Sequence, residues 1–246
     1  MRSHIAVAVL SACLAAFLPT ATHAAPPADT FADELGGQRV TLPMVPGFTE
    51  AVGPAAPLRD LLKRALPPNY RIIGFQVPKD YLDKVRAHDG SASLARYCTV
   101  LTYRQYEADG MSQALFDQIK KTMREQSDKV LAQIQTEAAS GIEQMSRDAG
   151  RMSGDSTASV KVGNPTSLGV FDEHPNSFAL ASIGPVAVSS KTINRTHDQA
   201  SVMAIVLIHG KPINVNFYAD YSSKADLLWA EDQARAWIRR VNELNP

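Results

Sequence analysis

Between Ser112 and about Ala149 the chain carries a stretch whose pattern demands one long helix. Phe116, Ile119, Met123, Val130, Leu131 and Ile134 recur at helical spacing, and Ala138, Ile142 and Met145 continue the stripe. Asp117–Lys121, Glu125–Lys129 and Glu143–Arg147 stand four residues apart with the acid leading, the stabilising order. No proline interrupts the run, and its only glycine is Gly141. Such a helix spans roughly 50 Å, more than one sheet face needs. It is therefore expected to bend near Ser140–Gly141 or to project beyond the core.

The far half of this helix carries a second expectation. Its stripe thins to Ile134, Ala138, Gly141, Ile142 and Met145, set among Gln133, Gln135, Glu137 and Gln144. Apolar surface on an overrunning helix end is costly to leave in water, and small residues let another helix approach closely. Residues 134–149 are expected to fold back under the loop 150–163 or to meet a partner. Ile134, Ala138, Ile142 and Met145 are the candidate contacts, and a second copy of the chain is one candidate partner.

The first residues read as an address. Arg2 precedes the apolar run Ile5–Leu18, Pro19 breaks it, and the small residues Thr20–Ala25 follow. Cleavage after Ala24 gives a signal peptide at 1–24, a flexible Pro/Ala-rich leader at 25–35, and a single α+β domain at 36–246. The apolar run is short for a membrane span, and nothing later is longer, so no transmembrane span is expected in the mature chain. The expected location is the periplasm or the extracellular space. Leu10-Ser11-Ala12-Cys13 also resembles a lipobox, and acylation of Cys13 would make the protein an anchored lipoprotein. Cleavage at Ala24 removes Cys13 and leaves Cys98 alone, so no disulfide forms within the chain. Cys98 lies in the β-rich run Arg96–Leu101, where a buried thiol that packs is expected.

Lys and Arg number 25 against 25 Asp and Glu, without a long run of either sign, which argues against nucleic-acid binding. Hydrophobic residues make up 45% of the chain, enough for an ordinary core. Strands are expected at Gln38–Met44, Tyr70–Val77, Ala95–Tyr103, Ser167–Phe171, Phe178–Ile183, Val202–Ile208 and Ile213–Tyr221, with Val160 and Val162 beginning another. Short helices follow Pro57 and Pro78. A terminal helix begins at Ser223, with Asp226 completing a variant capping box. The fold class is α+β: a largely antiparallel sheet of about six or seven strands packed by helices, one of them unusually long.

The catalytic vocabulary is sparse. His88, His174, His197 and His209 show no HExxH or HxH spacing, so no metal site and no cofactor is implied. No Ser sits in a G-x-S-x-G frame, and His209-Gly210-Lys211 lacks a phosphate-binding frame, reading instead as a hairpin turn. A softer lead is the last strand, where Asn214, Asn216, Tyr218 and Asp220 alternate with Ile213, Val215, Phe217 and Ala219. That polar face is a candidate surface for a small polar ligand, or simply a solvated sheet face.

At the carboxyl end, Gly210-Lys211-Pro212-Ile213 leads through Phe217-Tyr218 into Trp229 and Ala236-Trp237-Ile238. This ending resembles small exported proteobacterial proteins of unassigned function with a PsbP-like α+β domain. The resemblance covers mainly residues 202–244, contains no catalytic motif, and implies an accessory or binding role. The expectation is an exported non-enzymatic protein that binds a partner protein or small ligand. The alternative is a hydrolase whose His174, His197 and a Ser or acid converge only in the fold.

Overall fold

A computed structural model describes residues 29–246 except 53–55, 88–92, 154 and 192–193. The signal segment 1–24, Cys13, the leader through residue 28 and His88 lie outside the described residues. Among the described residues no helix is long and apolar enough to cross a membrane.

Two antiparallel sheets carry the structure. The small one pairs β1 (Thr30–Leu35) with β2 (Gln38–Pro43). Residues 30–35 are therefore a strand and not part of a flexible leader. Phe31 packs on the core and Leu35 is buried within it, while Asp33 is held by Arg71 at 3.1 Å. Gly36 and Gly37, both at positive φ, make the two-residue turn that right-twisted hairpins favour.

The large sheet has eight strands: β3 (Phe48–Glu50), β4 (Tyr70–Pro78), β5 (Arg96–Tyr103), β6 (Ser159–Val162), β7 (Thr166–His174), β8 (Ser177–Ser189), β9 (Asn194–Ile208) and β10 (Lys211–Tyr221). Their order is β3-β4-β5-β10-β9-β8-β6, with β7 also on β8, and the pairings are antiparallel throughout. β8 and β9 run well past their apolar cores, through Gly184-Pro185 and through the polar segment before Ala200. His209 and Gly210, both at positive φ, close the β9–β10 hairpin.

Alternation divides the sheet into two faces. On one, Cys98, Val100, Val202, Ala204, Val215 and Phe217 meet Trp237, Ile238 and Val241 of helix α5 (Lys224–Leu244). Trp237 donates its indole N–H to the carbonyl of Pro43 at 3.0 Å, tying α5 to β2. The Asp226 carboxylate begins α5 by accepting the N–H groups of Ser222 and Ser223, both at 3.1 Å, and it also meets Arg96. These bonds hold its pKa well below the ordinary carboxylate value, at about 2.

The other face bears two separate apolar clusters. Helices α1 (Ala56–Ala65) and α2 (Lys79–Arg86) cover Ile72, Phe75 and Leu101, with Leu82 fully inside. After the short α3 (Gln105–Asp109), helix α4 (Gln113–Ser153) lays Phe116 and Met123 on Phe178, Ile205 and Leu207. Its bend comes at Gln126 (φ −139°, ψ 28°), not at Ser140–Gly141. The break separates two docking surfaces. Before it, buried Lys120 donates to the carbonyls of His174 and Pro175, both at 3.0 Å. After it, Gln135 donates to the carbonyl of Val162 at 2.8 Å, and Ser146 bonds Val160. A back-bond from the Thr122 hydroxyl to the Gln118 carbonyl, at 3.0 Å, loosens the turn just upstream.

Candidate functional site

The two apolar clusters on the α4 face do not merge. Between them lies a cavity of about 320 Å³, walled by the sheet on one side and by the distal half of α4 on the other. This volume falls at the lower end of what small-molecule sites occupy.

The sheet wall is built by strand alternation. Tyr97, Thr99 and Leu101 come from β5, and Asn214, Asn216 and Tyr218 from β10. Gln199, Ser201 and Met203 come from β9, and Ser182, Gly184 and Val186 from β8. Register aligns them in rows: Thr99 opposite Asn216 opposite Met203, and Tyr97 opposite Tyr218 opposite Ser201 opposite Ser182. Thr99, Ser182, Asn214 and Asn216 are all buried. Polar side chains in such a place cost stability unless they find partners. Asn216 donates to the Thr99 hydroxyl at 3.2 Å. Asn214 is 4% exposed, and its Oδ1 has no hydrogen-bond partner among the described residues.

Tyr97 and Tyr218 stack with ring centroids 4.5 Å apart. Protein surrounds both rings, and the surface they keep is half-buried where they border the cavity. Burial pushes the Tyr218 phenol up to about 12 and that of Tyr97 higher, so both are neutral donors at ordinary pH. The Thr99 hydroxyl supports Tyr218 and the Gln199 amide supports Tyr97.

The helix wall is mainly apolar, with Gln135 and Glu137 also on it. Leu131, Ile134, Ala138, Ile142 and Met145 border the cavity from α4, and Leu62, Leu66 and Pro67 close its α1 side. The four residues read from sequence as partner contacts thus lie on the same cavity as three of the four read as ligand contacts. Asp220 does not line it. Its carboxylate is engaged by Arg195 at 2.7 Å and by His197 Nε2 at 2.9 Å.

The histidines and acids do not converge. His174 pairs with Asp172 at 3.4 Å and His197 with Asp220, and these pairs align with opposite ends of β8. Roughly 30 Å of strand lies between them. Among the described residues no group of three or more His, Cys, Asp or Glu is placed to hold a metal ion. Cys98 is fully buried on the opposite face, and burial pushes its thiol well above the ordinary pKa.

Tyr97, Thr99, Gln199, Ser201 and Ser182 went unread in the sequence as site residues. Their period-two spacing on β5, β8 and β9 was the available signal.

No protein-family model matches the chain, and no curated protein does. Among solved structures it is similar to the Saccharomyces cerevisiae Ran-binding protein Mog1p, at 12% identity over 88% of this chain and 92% of that one, with a TM-score of 0.25. A mutant of protein Mog1 aligns with the same identity and coverage at a TM-score of 0.27. Likeness of this degree fixes neither a shared fold nor a shared partner, so function is read from the cavity.

Proposed function

We propose that this is an exported, non-catalytic binding protein that carries a small ligand in the cavity between the sheet and the distal half of α4. The observation that carries the reading is the chemistry of the two walls. A solvated sheet face would be open to water, and a packed core would be apolar on both sides. Here the buried polar residues Thr99, Ser182, Asn214 and Asn216 border a cavity, with a mainly aliphatic helix stripe across it. A cavity with one polar and one mainly apolar wall suits a small amphipathic guest. Export rests on the sequence of residues 1–24, and the PsbP-like ending accords with an accessory role.

Naphthalene, a fluorescent guest of fitting size with no head group, tests the binding reading on the mature protein. Saturable one-to-one binding is expected, and Ala138→Trp, which fills the cavity from α4, removes it without lowering the melting temperature. Absence of saturable binding, or binding undiminished by Ala138→Trp, contradicts the proposal. Intact-mass analysis of the secreted protein tests export. An N-terminus near Ala25 supports it, and an acylated N-terminus at Cys13 replaces it with the lipoprotein form.

A further inference from the structure

The walls also restrict what kind of molecule the cavity accepts. Among the described residues no Lys, Arg or His lines it, and the one carboxylate that does, Glu137, is exposed and hydrogen-bonded to Gln133 at 2.9 Å. An anionic head group would therefore be buried without a counter-charge, and a cationic one would find only that exposed carboxylate. What the sheet wall does offer is neutral hydrogen bonding. Asn214 and Asn216 bring carboxamides, and Ser201 and Tyr218 bring hydroxyls, from adjoining rows. The α4 wall offers mainly aliphatic contact, from Leu131, Ile134, Ala138 and Ile142, with Gln135 and Glu137 also on it. At about 320 Å³ the cavity lies at the lower end of small-molecule sites, so the guest it accepts is small.

On the reading that this cavity binds a ligand, we infer that its guest is a small, uncharged, amphipathic molecule. A hydroxyl or amide head lies against Asn214 and Asn216, and an apolar body lies under Ile134, Ala138 and Ile142. Hydroxyls and amides both donate and accept, so either can pair with the neutral amides and hydroxyls of this wall. The two walls thereby fix the orientation of the guest as well as its class.

Octanamide and octanoate separate charge from shape, because they match in chain length and atom count and differ in ionisation at pH 7.5. Each is titrated against naphthalene bound to the mature protein. Octanamide is expected to displace the probe at a concentration at least ten-fold lower than octanoate. Asn214→Leu is expected to erase most of that preference while still binding naphthalene, which shows that the variant has kept its fold and cavity. Equal or better displacement by octanoate overturns the inference, as does an octanamide affinity unchanged in Asn214→Leu. If naphthalene itself fails to bind, the binding reading falls first and the ligand class falls with it. A protein that binds naphthalene but shows no preference for the amide leaves that reading standing and defeats only this inference.

Discussion

Asn214 of β10 and Ile142 of α4 border one cavity from opposite walls, a buried carboxamide across from a half-buried aliphatic side chain. Asn214 Oδ1 lacks a partner among the described residues, while the Asn214 side chain also hydrogen-bonds the Tyr103 phenol. Leaving such a group unsatisfied costs about 1–3 kcal/mol. Asn214→Leu is therefore expected to stabilise the ligand-free protein, by about 1 kcal/mol after some loss of fit. Urea unfolding with the slope unchanged measures it. A destabilised Asn214→Leu would mean that the carboxamide supports the fold.

The two halves of α4 are expected to respond differently to truncation. Phe116 is fully buried against Phe178, whereas Ile142 borders the cavity and is half-buried. Phe116→Ala should cost about 3–5 kcal/mol, and Ile142→Ala no more than about 1–2, since its loss only enlarges existing space. Comparable losses in the two variants would make the distal stripe ordinary core. Sedimentation of wild type and Ile142→Asp tests the other expectation for this stripe. A dimer that Ile142→Asp dissociates would assign the stripe to self-association instead.

Much of this architecture was legible from period alone. The α5 stripe, the alternation of β10 and the capping residues Ser223 and Asp226 stand where the sequence puts them, because local pattern decides them. Asn214, Asn216 and Tyr218 were legible as one polar face for the same reason. Their position across from Ile134–Met145 was not, since that pairing depends on where α4 turns. The turn is made at Gln126, a good helix former with no glycine or proline beside it, between the part of α4 on Phe178 and the part bonded to Val162. β8 continues past Ile183, the end that the sequence pattern suggests, through Gly184-Pro185 to Ser189. Pro185 needs no amide hydrogen there, and its carbonyl accepts from Gly163 at 2.8 Å.

Cys98→Ala should fold normally and cost about 1–2 kcal/mol, the loss of one buried atom with partial collapse. The native thiol should resist a bulky thiol reagent at pH 8, because burial both shields it and raises its pKa well above the ordinary value. Rapid labelling of folded protein would show that this strand opens readily or that the packing around it is loose.

Asp226 couples stability to acid. Its folded pKa is depressed to about 2 from an ordinary value of 3.8, chiefly by its hydrogen bonds from Ser222. The contribution is thus complete above about pH 4 and is lost as pH falls through about 2. Asp226→Asn should destabilise the protein at pH 7 by about 1 kcal/mol, the usual worth of a helix cap. The gap between wild type and variant should close as the pH approaches 2. Melting curves across that range check it, and a gap that stays constant with pH would show that the carboxylate charge is irrelevant.

The central claim is that the polar strands and the distal helix form the two walls of one binding site. Its most direct test is a nuclear magnetic resonance titration of the mature protein with octanamide, following the methyls of Ile134, Ile142 and Met145 together with the side-chain amides of Asn214 and Asn216. Both sets should shift along one saturation curve with a common Kd, while the buried methyls of Val215 and Val241 on the opposite face stay in place. Asparagine amides that remain fixed while other surfaces respond, or helix and strand signals that saturate at different concentrations, would contradict it.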